Sequence, residues 1–221
     1  MSKQFWAVIA VIVIIFIGIF ALNGNKKSDT NSKNSSSGGG TQHVQGKGTT
    51  GVTLVEFGDY QCPYCGQYFP TVKQVVAKYG DQIKFQFKNF PLTSIHQNAF
   101  AAARAAEAAG LQGKFWEMNE ILYSTQSSWS EQTDPTPIFA QYAQQLGLNV
   151  DKFKKDSSSS KVNDLINADM AEGTKLKVTG TPAFFINGEK IDVSNSVESF
   201  SKAIDAAIAK QAKKSTSSTQ Q

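Results

Sequence analysis

One local pattern constrains the fold of this chain more than any other: a short buried strand leads directly into two cysteines at the start of a helix. Residues 52–57 (VTLVEF) are rich in β-branched and apolar side chains, which is typical of a buried strand, and Gly58–Gln61 supply a turn. Cys62 and Cys65 follow, and apolar residues then recur at helical spacing as far as Val76. The sequence therefore predicts a strand and a helix that meet at Cys62.

The other elements predict an α/β fold in which one small sheet carries a helical cap. Residues 83–90 alternate apolar and polar side chains, which predicts a second strand. Residues 97–173 look wholly helical, and they include an alanine-rich stretch of the kind that favours helix. Strand signals return at 183–193 around an Asn-Gly hairpin turn, and residues 198–210 form a closing helix. This order places a helical insertion between a βαβ half and a ββα half.

The ends of the chain differ in composition from this central part. Residues 5–22 form an apolar run of 18 residues, long enough to cross the hydrocarbon core of a bilayer. A cleaved signal peptide is the alternative, but the residues after the run make a poor cleavage site, so we predict an uncleaved single-pass anchor over residues 1–22. Residues 23–50 are polar and predict a flexible linker, and residues 211–221 predict a disordered tail.

The charge distribution argues against nucleic-acid binding. The net charge of +4 arises within residues 1–50, which hold five lysines and one aspartate, so the remaining 17 basic and 17 acidic side chains balance. A nucleic-acid-binding domain needs a basic surface to neutralise phosphates, and a neutral domain offers none.

The only two cysteines of the chain occur as Cys62-Pro63-Tyr64-Cys65. At a helix start, free backbone N–H groups and the helix dipole stabilise a thiolate at Cys62, and Cys65 lies one turn further on. Half a zinc site, a structural disulfide and a pair of inert buried thiols are the alternatives. No second cysteine pair completes a zinc site, and a loop of four residues restrains the unfolded chain very little. A redox-active pair is therefore the favoured interpretation.

Three stretches resemble a known family. VTLVEFGDYQCPYCGQYFP and VTGTPAFFING are similar to the DsbA-like branch of the thioredoxin superfamily, especially its membrane-anchored, Gram-positive, BdbD-like type. HQNAFAAARAAEAAGLQGKFWEMNEILY resembles the helical insertion of that branch. The resemblance runs from about Val52 to Ala209. It implies a thioredoxin-like α/β fold with an inserted helical domain at about 97–173, within a domain spanning 51–210, preceded by one transmembrane helix.

The resemblance also implies a role for individual residues. Cys62 matches the attacking cysteine and Cys65 the resolving cysteine of the redox-active disulfide. Pro182 matches the cis-proline that faces this disulfide, with Thr181 before it. The residues expected to contact substrate are Pro63, Tyr64, Thr181 and Pro182. No metal and no cofactor are implied.

Glu56 is a further candidate catalytic residue, because it interrupts a buried strand six residues before Cys62. A buried acid needs a partner or a raised pKa, and in the resembling family an acid here assists proton movement. The alternative is that Glu56 lies at an exposed sheet edge. Asp59 and Tyr60 are interpreted as turn residues, and His96 as a helix-start residue rather than a catalytic base.

One feature departs from the strongest oxidants of the branch, which carry Pro-His between the cysteines. Pro63-Tyr64 is also typical of glutaredoxins, so the oxidising strength stays open. Because Tyr64 supplies no positive charge, we expect the helix start to lower the pKa of Cys62 to roughly 4.5–6, inside the range of helix-start CxxC cysteines.

These observations predict an extracytoplasmic oxidoreductase that introduces disulfide bonds into secreted or cell-surface proteins, from a bacterial cell membrane. The family implies reoxidation by a quinone-linked membrane partner of the DsbB or VKOR type. A tethered reductase or isomerase is the alternative within the same class. A chaperone or binding module that has kept only the fold is the alternative outside it.

Overall fold

The structure is a computed structural model that describes residues 40–218, with side chains from 40 to 214. The predicted anchor at 1–22 and most of the predicted linker lie outside these residues. Among residues 40–218, no helix is both long enough and apolar enough to cross a membrane.

The described part of the chain contains five strands, which are β1 (His43–Gln45), β2 (Val52–Gly58), β3 (Ile83–Asn89), β4 (Ala183–Ile186) and β5 (Glu189–Ile191). They form one mixed sheet in the order β1-β3-β2-β4-β5. Strands β2 and β3 run parallel, and every other neighbouring pair is antiparallel.

Eight helices surround the sheet in the described part of the chain. They are α1 (Pro63–Tyr79), α2 (Ala99–Gly110), α3 (Phe115–Ser124), α4 (Gln126–Trp129), α5 (Thr136–Gln145), α6 (Val150–Ser157), α7 (Ser160–Lys175) and α8 (Val197–Ser218). Helices α2 to α7 occupy the predicted helical insertion. The predicted thioredoxin-like order of strands and helices is confirmed.

The sheet is the middle layer of the domain because alternate residues of its strands face opposite helices. On β4, the ring centroid of Phe184 lies 4.8 Å from that of Phe200 on α8. The next residue, Phe185, packs 5.6 Å from Phe57 in a separate apolar cluster that includes Met170 of α7. Both faces of the sheet are therefore covered, and this explains the nearly continuous apolar run of β4.

The predicted linker 23–50 extends too far, because its last part belongs to the fold. Strand β1 pairs antiparallel with β3, whose outer edge would otherwise leave backbone groups unpaired. The His43 side chain lies 2.8 Å from buried Glu107 and stacks on Phe115, which fastens this edge strand to the helices. A strand of three residues is too short to show an apolar periodicity, so the sequence gives no sign of it.

The predicted boundary of the C-terminal tail is also wrong. Helix α8 continues to Ser218, whereas a disordered tail was expected from residue 211. Residues 206–214 consist mostly of alanine, lysine and glutamine, which are strong helix formers, so an existing helix propagates through them.

A buried aspartate joins the start of the described chain to the sheet. Asp169 of α7 accepts hydrogen bonds from the Thr41 backbone N–H at 2.9 Å and from the Thr41 hydroxyl at 2.6 Å. It also accepts from the Asn89 N–H at 3.0 Å and lies 3.4 Å from the Lys88 ammonium. Lys88 makes a second ion pair with Glu172 at 2.8 Å. This cluster holds the chain at the edge of the sheet where β2 and β3 end.

We expect Asp169→Ala to lower the free energy of unfolding by about 3–5 kcal/mol, because it removes one partner of a buried ion pair. Asp81→Ala is the matched control, since the Lys47–Asp81 pair is largely exposed and should contribute at most about 1 kcal/mol. Urea unfolding of both variants measures the two losses. Equal losses would show that the Asp169 cluster does not fasten the chain.

Candidate redox site

The two cysteines lie at the start of α1, where the chain leaves β2. Cys62 is the N-cap residue, and no side chain caps the first turn, so the N–H groups of that turn remain available to its sulfur. The Cys62 N–H donates to the Asp59 carbonyl at 3.1 Å, which closes the turn between strand and helix. Both cysteines are free thiols in this structure.

A second chain segment faces Cys62 from across the site. The Thr181–Pro182 peptide bond is cis, as the sequence predicts. The thiol of Cys62 lies 3.3 Å from the Thr181 carbonyl oxygen and donates to it. The Thr181 hydroxyl is buried and has no hydrogen-bond partner within residues 40–214, so it is free to donate to a thiolate. Thr181 can thus serve both protonation states of Cys62.

The surroundings move the pKa values of the two thiols in opposite directions. A hydrogen bond from the Cys65 thiol is the largest factor that lowers the pKa of Cys62, which falls to about 5 despite partial burial. The Thr181 hydroxyl and the backbone N–H groups of Cys65 and Tyr64 also stabilise its thiolate. Burial raises the pKa of Cys65 well above that of an ordinary thiol, and the neighbouring Cys62 and Glu56 add to the rise.

The opposite pKa shifts of Cys62 and Cys65 agree with the roles expected of the two sulfurs. The main cause of the lowered Cys62 pKa, however, differs from the one expected from the sequence. The pKa of Cys62 lies inside the expected range, yet the Cys65 thiol contributes more than the backbone N–H groups of the helix start. Cys62 is 4% exposed and Cys65 is fully buried, so the outer sulfur reaches solvent only narrowly.

Glu56 lies beneath the two sulfurs on the central strand of the sheet. Strands β3 and β4 flank β2 on either side, so the alternative of an exposed sheet edge is wrong. The residue is only 4% exposed, and its carboxyl makes no hydrogen bond or ion pair with any residue from 40 to 214. Burial raises the pKa of Glu56 to about 8, and the negative charge on Cys62 adds to this effect. The carboxyl therefore holds its proton at neutral pH.

Three of the four expected substrate contacts lie together. Tyr64, Thr181 and Pro182 line one groove of about 360 Å³ beside Cys62, and the Tyr64 side chain is 65% exposed. Pro63 instead borders a separate depression that contains Ile95. The groove offers both apolar side chains and polar groups next to the reactive sulfur.

Asp59 makes more contacts around the site than its predicted role as a turn residue implies. Its carboxylate accepts from the Gln61 N–H at 2.8 Å and the Leu92 N–H at 2.9 Å, and it lies 2.7 Å from the His96 ring. His96 precedes α2 by three residues and contacts Asp59, where it braces the turn that carries Cys62.

Gln126 is a positioning residue that the sequence analysis missed. Its side-chain amide donates to the carbonyl of Tyr60 at 2.7 Å and to the carbonyl of Cys62 at 2.9 Å. It lies on the short helix α4, far from the cysteines in sequence, and nothing in the pattern around it marks this role.

Comparison with known proteins places this geometry in a family. A family model described as thioredoxin matches residues 39–206. A thioredoxin-like oxidoreductase from Silicibacter pomeroyi is 28% identical, with a TM-score of 0.64, and the match covers 75% of this chain and 91% of that one. BdbD from Bacillus subtilis is 23% identical, with a TM-score of 0.66, over 76% of this chain and 93% of its own, so it shows the same fold.

The curated relatives are longer proteins that are named as antiporters. Na(+)/H(+) antiporter NhaA 1 of Salinispora arenicola is 37% identical over 167 residues, which cover 76% of this chain and 25% of the antiporter. The chain thus spans about a quarter of the length of the curated relatives it matches. Antiport is a property of those whole proteins.

The raised pKa of Glu56 should make the reduced protein less stable as pH rises. The unfolded chain releases this proton near pH 4.5, whereas the folded chain holds it to about pH 8. Between these values the unfolded state binds fewer protons, so the free energy of unfolding falls by at most about 1.4 kcal/mol per pH unit from this group.

Glu56→Gln lacks this titration but keeps that of Cys62. The variant should therefore gain stability over the parent protein progressively from pH 4.5 to 8, as measured by urea unfolding of the reduced forms. Parallel stability curves for the two proteins would contradict a raised pKa at Glu56.

Proposed function

The chain belongs to the thioredoxin family, and we propose that it introduces disulfide bonds into secreted or cell-surface proteins through Cys62 and Cys65. The predicted DsbA-like recognition and the enzyme class, a thiol–disulfide oxidoreductase, are confirmed by the family match and the structural neighbours. The observation that carries the finer proposal is the opposite displacement of the two thiol pKa values.

The reaction begins with the Cys62–Cys65 disulfide. A substrate thiolate attacks the Cys62 sulfur, the bond to Cys65 breaks, and a mixed disulfide forms between substrate and Cys62. A second substrate thiolate then attacks the substrate sulfur of that bond, and Cys62 leaves as a thiolate. The substrate loses two electrons and gains a disulfide, and the enzyme becomes a dithiol. A leaving thiol with a pKa of about 5 departs readily, which favours this direction.

Glu56 supplies the proton that the first step requires. Cys65 leaves as a thiolate in a fully buried position, where its raised pKa makes protonation strongly favourable. The Glu56 carboxyl lies beneath this sulfur and is protonated at neutral pH, since its pKa is about 8. Transfer of its proton to Cys65 moves the negative charge from the sulfur to the Glu56 carboxylate, and the protonated Cys65 thiol cannot make the reverse attack on the mixed disulfide.

Two alternative functions differ from this reaction. A tethered reductase or isomerase differs in the direction of electron flow, and a binding module forms no covalent bond with its partner. Cys65→Ser should accumulate a mixed disulfide between Cys62 and a peptide that contains a disulfide, because the Cys62 thiolate attacks that bond, one peptide thiolate leaves, and the resolving thiol is gone. Cys62→Ser, the matched variant, should form none, because Cys65 is buried. Non-reducing mass spectrometry reads both results. Adducts on neither variant would favour the binding module, and adducts on Cys65 would reverse the assigned roles.

The extracytoplasmic location is part of this proposal. A disulfide donor acts usefully only outside the reducing cytosol, and the apolar run at 5–22 provides a membrane anchor. A membrane-bound reoxidase, quinone-linked and of the DsbB or VKOR type, would restore the Cys62–Cys65 disulfide after each cycle.

Intact cells expressing the protein should react at Cys62 with a membrane-impermeant maleimide after mild reduction, because the domain faces outward. Cys62→Ser should remain unlabelled in the same cells, since Cys65 is fully buried. Mass spectrometry of the purified protein locates the adduct. Labelling that occurs only after cell lysis would place the domain in the cytosol and remove this part of the proposal.

A further inference from the structure

A cavity of about 370 Å³ lies behind the redox site, between α1, α3 and the sheet. It is separate from the substrate groove, which lies on the Thr181–Pro182 side of Cys62. Its lining includes five aromatic rings and the buried Glu56, and the half-exposed side chains of Lys73 and Glu120 also border it. The redox reaction as described uses Glu56 but no other part of this space.

The carboxyl of Glu56 is the first indication that the cavity binds a ligand. It is a side chain more than nine-tenths buried that lines the cavity and has no hydrogen-bond or ion-pair partner from residue 40 to residue 214. Buried ionisable groups are normally paired, so a carboxyl left without a partner inside a cavity points to a missing one.

The rings around this carboxyl are the second indication. Five aromatic side chains line the cavity: Phe69, Phe85, Phe87, Trp116 and Tyr123. Ring faces carry partial negative charge, and cages of such rings recognise quaternary ammonium groups. The protein already shows this contact at the border of the cavity, where the Lys73 ammonium lies 5.6 Å from the centroid of the Phe69 ring.

The charges of the cavity select a cation over an anion. Its lining contains three acids, Glu56, Glu117 and Glu120, against one base, Lys73. Lys73 is already paired with Glu120 on α3, and Glu117 is paired with Lys114 outside the cavity. Glu56 is therefore the acid without a basic partner among the described lining residues, and it becomes a negative charge above its pKa of about 8.

From these observations we propose that the cavity is a binding site for a small organic ammonium ion of the choline type. Its methylated ammonium group sits among the rings of Phe85, Trp116 and Tyr123, and the Glu56 carboxylate supplies the counter-charge. The bound cation holds Glu56 ionised and so withholds the proton that Cys65 needs. The site is thus an effector site behind the catalytic pair, and binding there does not depend on the oxidase reaction.

Choline and its uncharged isostere 3,3-dimethyl-1-butanol provide the test, because they share a shape and differ in charge. Each is titrated into the reduced protein above the Glu56 pKa of about 8, and the indole N–H signal of Trp116 is followed by NMR. Trp129 is the internal reference, since it is fully buried and donates to the Leu122 carbonyl. We expect choline to shift Trp116 alone and to bind at least about tenfold more tightly than the isostere.

Matched variants test whether choline binds in this cavity. Glu56→Gln should weaken choline binding at least about tenfold, whereas Glu131→Gln, at an exposed acid outside the cavity, should not change it. Trp116→Leu, at a half-buried wall position, should weaken choline binding even if Glu56→Gln folds poorly. Cys62→Ser should bind choline normally, which separates this site from the redox function. Equal binding of choline and its isostere, or equal affinities of the two glutamine variants, would overturn the proposal.

Discussion

The buried Cys65 thiol lies beside the sulfur of Cys62 at the start of α1, and it lowers the pKa of Cys62 more than any other group does. Only the start of a helix places two cysteines one turn apart with the first beside unpaired N–H groups. Asp59 and Gln126 fix the turn before that helix, and Thr181 closes the site from the segment that precedes β4. The Cys65 thiol and the backbone N–H groups of the first turn lower the pKa of Cys62, and burial raises that of Cys65, which supports the proposed roles of Cys62 as the outer, reacting sulfur and Cys65 as the resolving one.

Placing a carboxyl on the central strand of a sheet costs free energy that packing alone does not explain. An apolar side chain at residue 56 would fill the same space without a desolvation penalty. Perturbed, unpaired ionisable groups concentrate at functional sites, and Glu56 meets both the sulfurs and an aromatic cavity. In the proposed account, the Glu56 carboxyl supplies a proton to Cys65 and also lies where a bound cation can change that supply.

Much of this arrangement follows from local sequence patterns. The strand before Cys62, the helix after it and the cis peptide bond before Pro182 depend on neighbouring residues or on a specific motif, so they were predicted correctly. Strand β1 has only three residues, one of them apolar, and owes its existence to the open edge of β3, which no local pattern reveals. Gln126 acts across 64 residues of sequence, and its contact with Cys62 exists only once the helical insertion has folded against the turn. The sequence also does not reveal that the Cys65 thiol contributes most to the lowered pKa of Cys62, because the spacing of the cysteines does not show which group stabilises the thiolate.

The central claim is that stabilisation of the Cys62 thiolate makes the Cys62–Cys65 disulfide oxidising. Equilibration of the purified protein with defined mixtures of reduced and oxidised glutathione measures its reduction potential directly. A thiolate with a pKa of about 5 should place that potential between the thioredoxin value of about −270 mV and the DsbA value of about −120 mV. A potential at or below about −270 mV would contradict the account and assign the chain to the reductases.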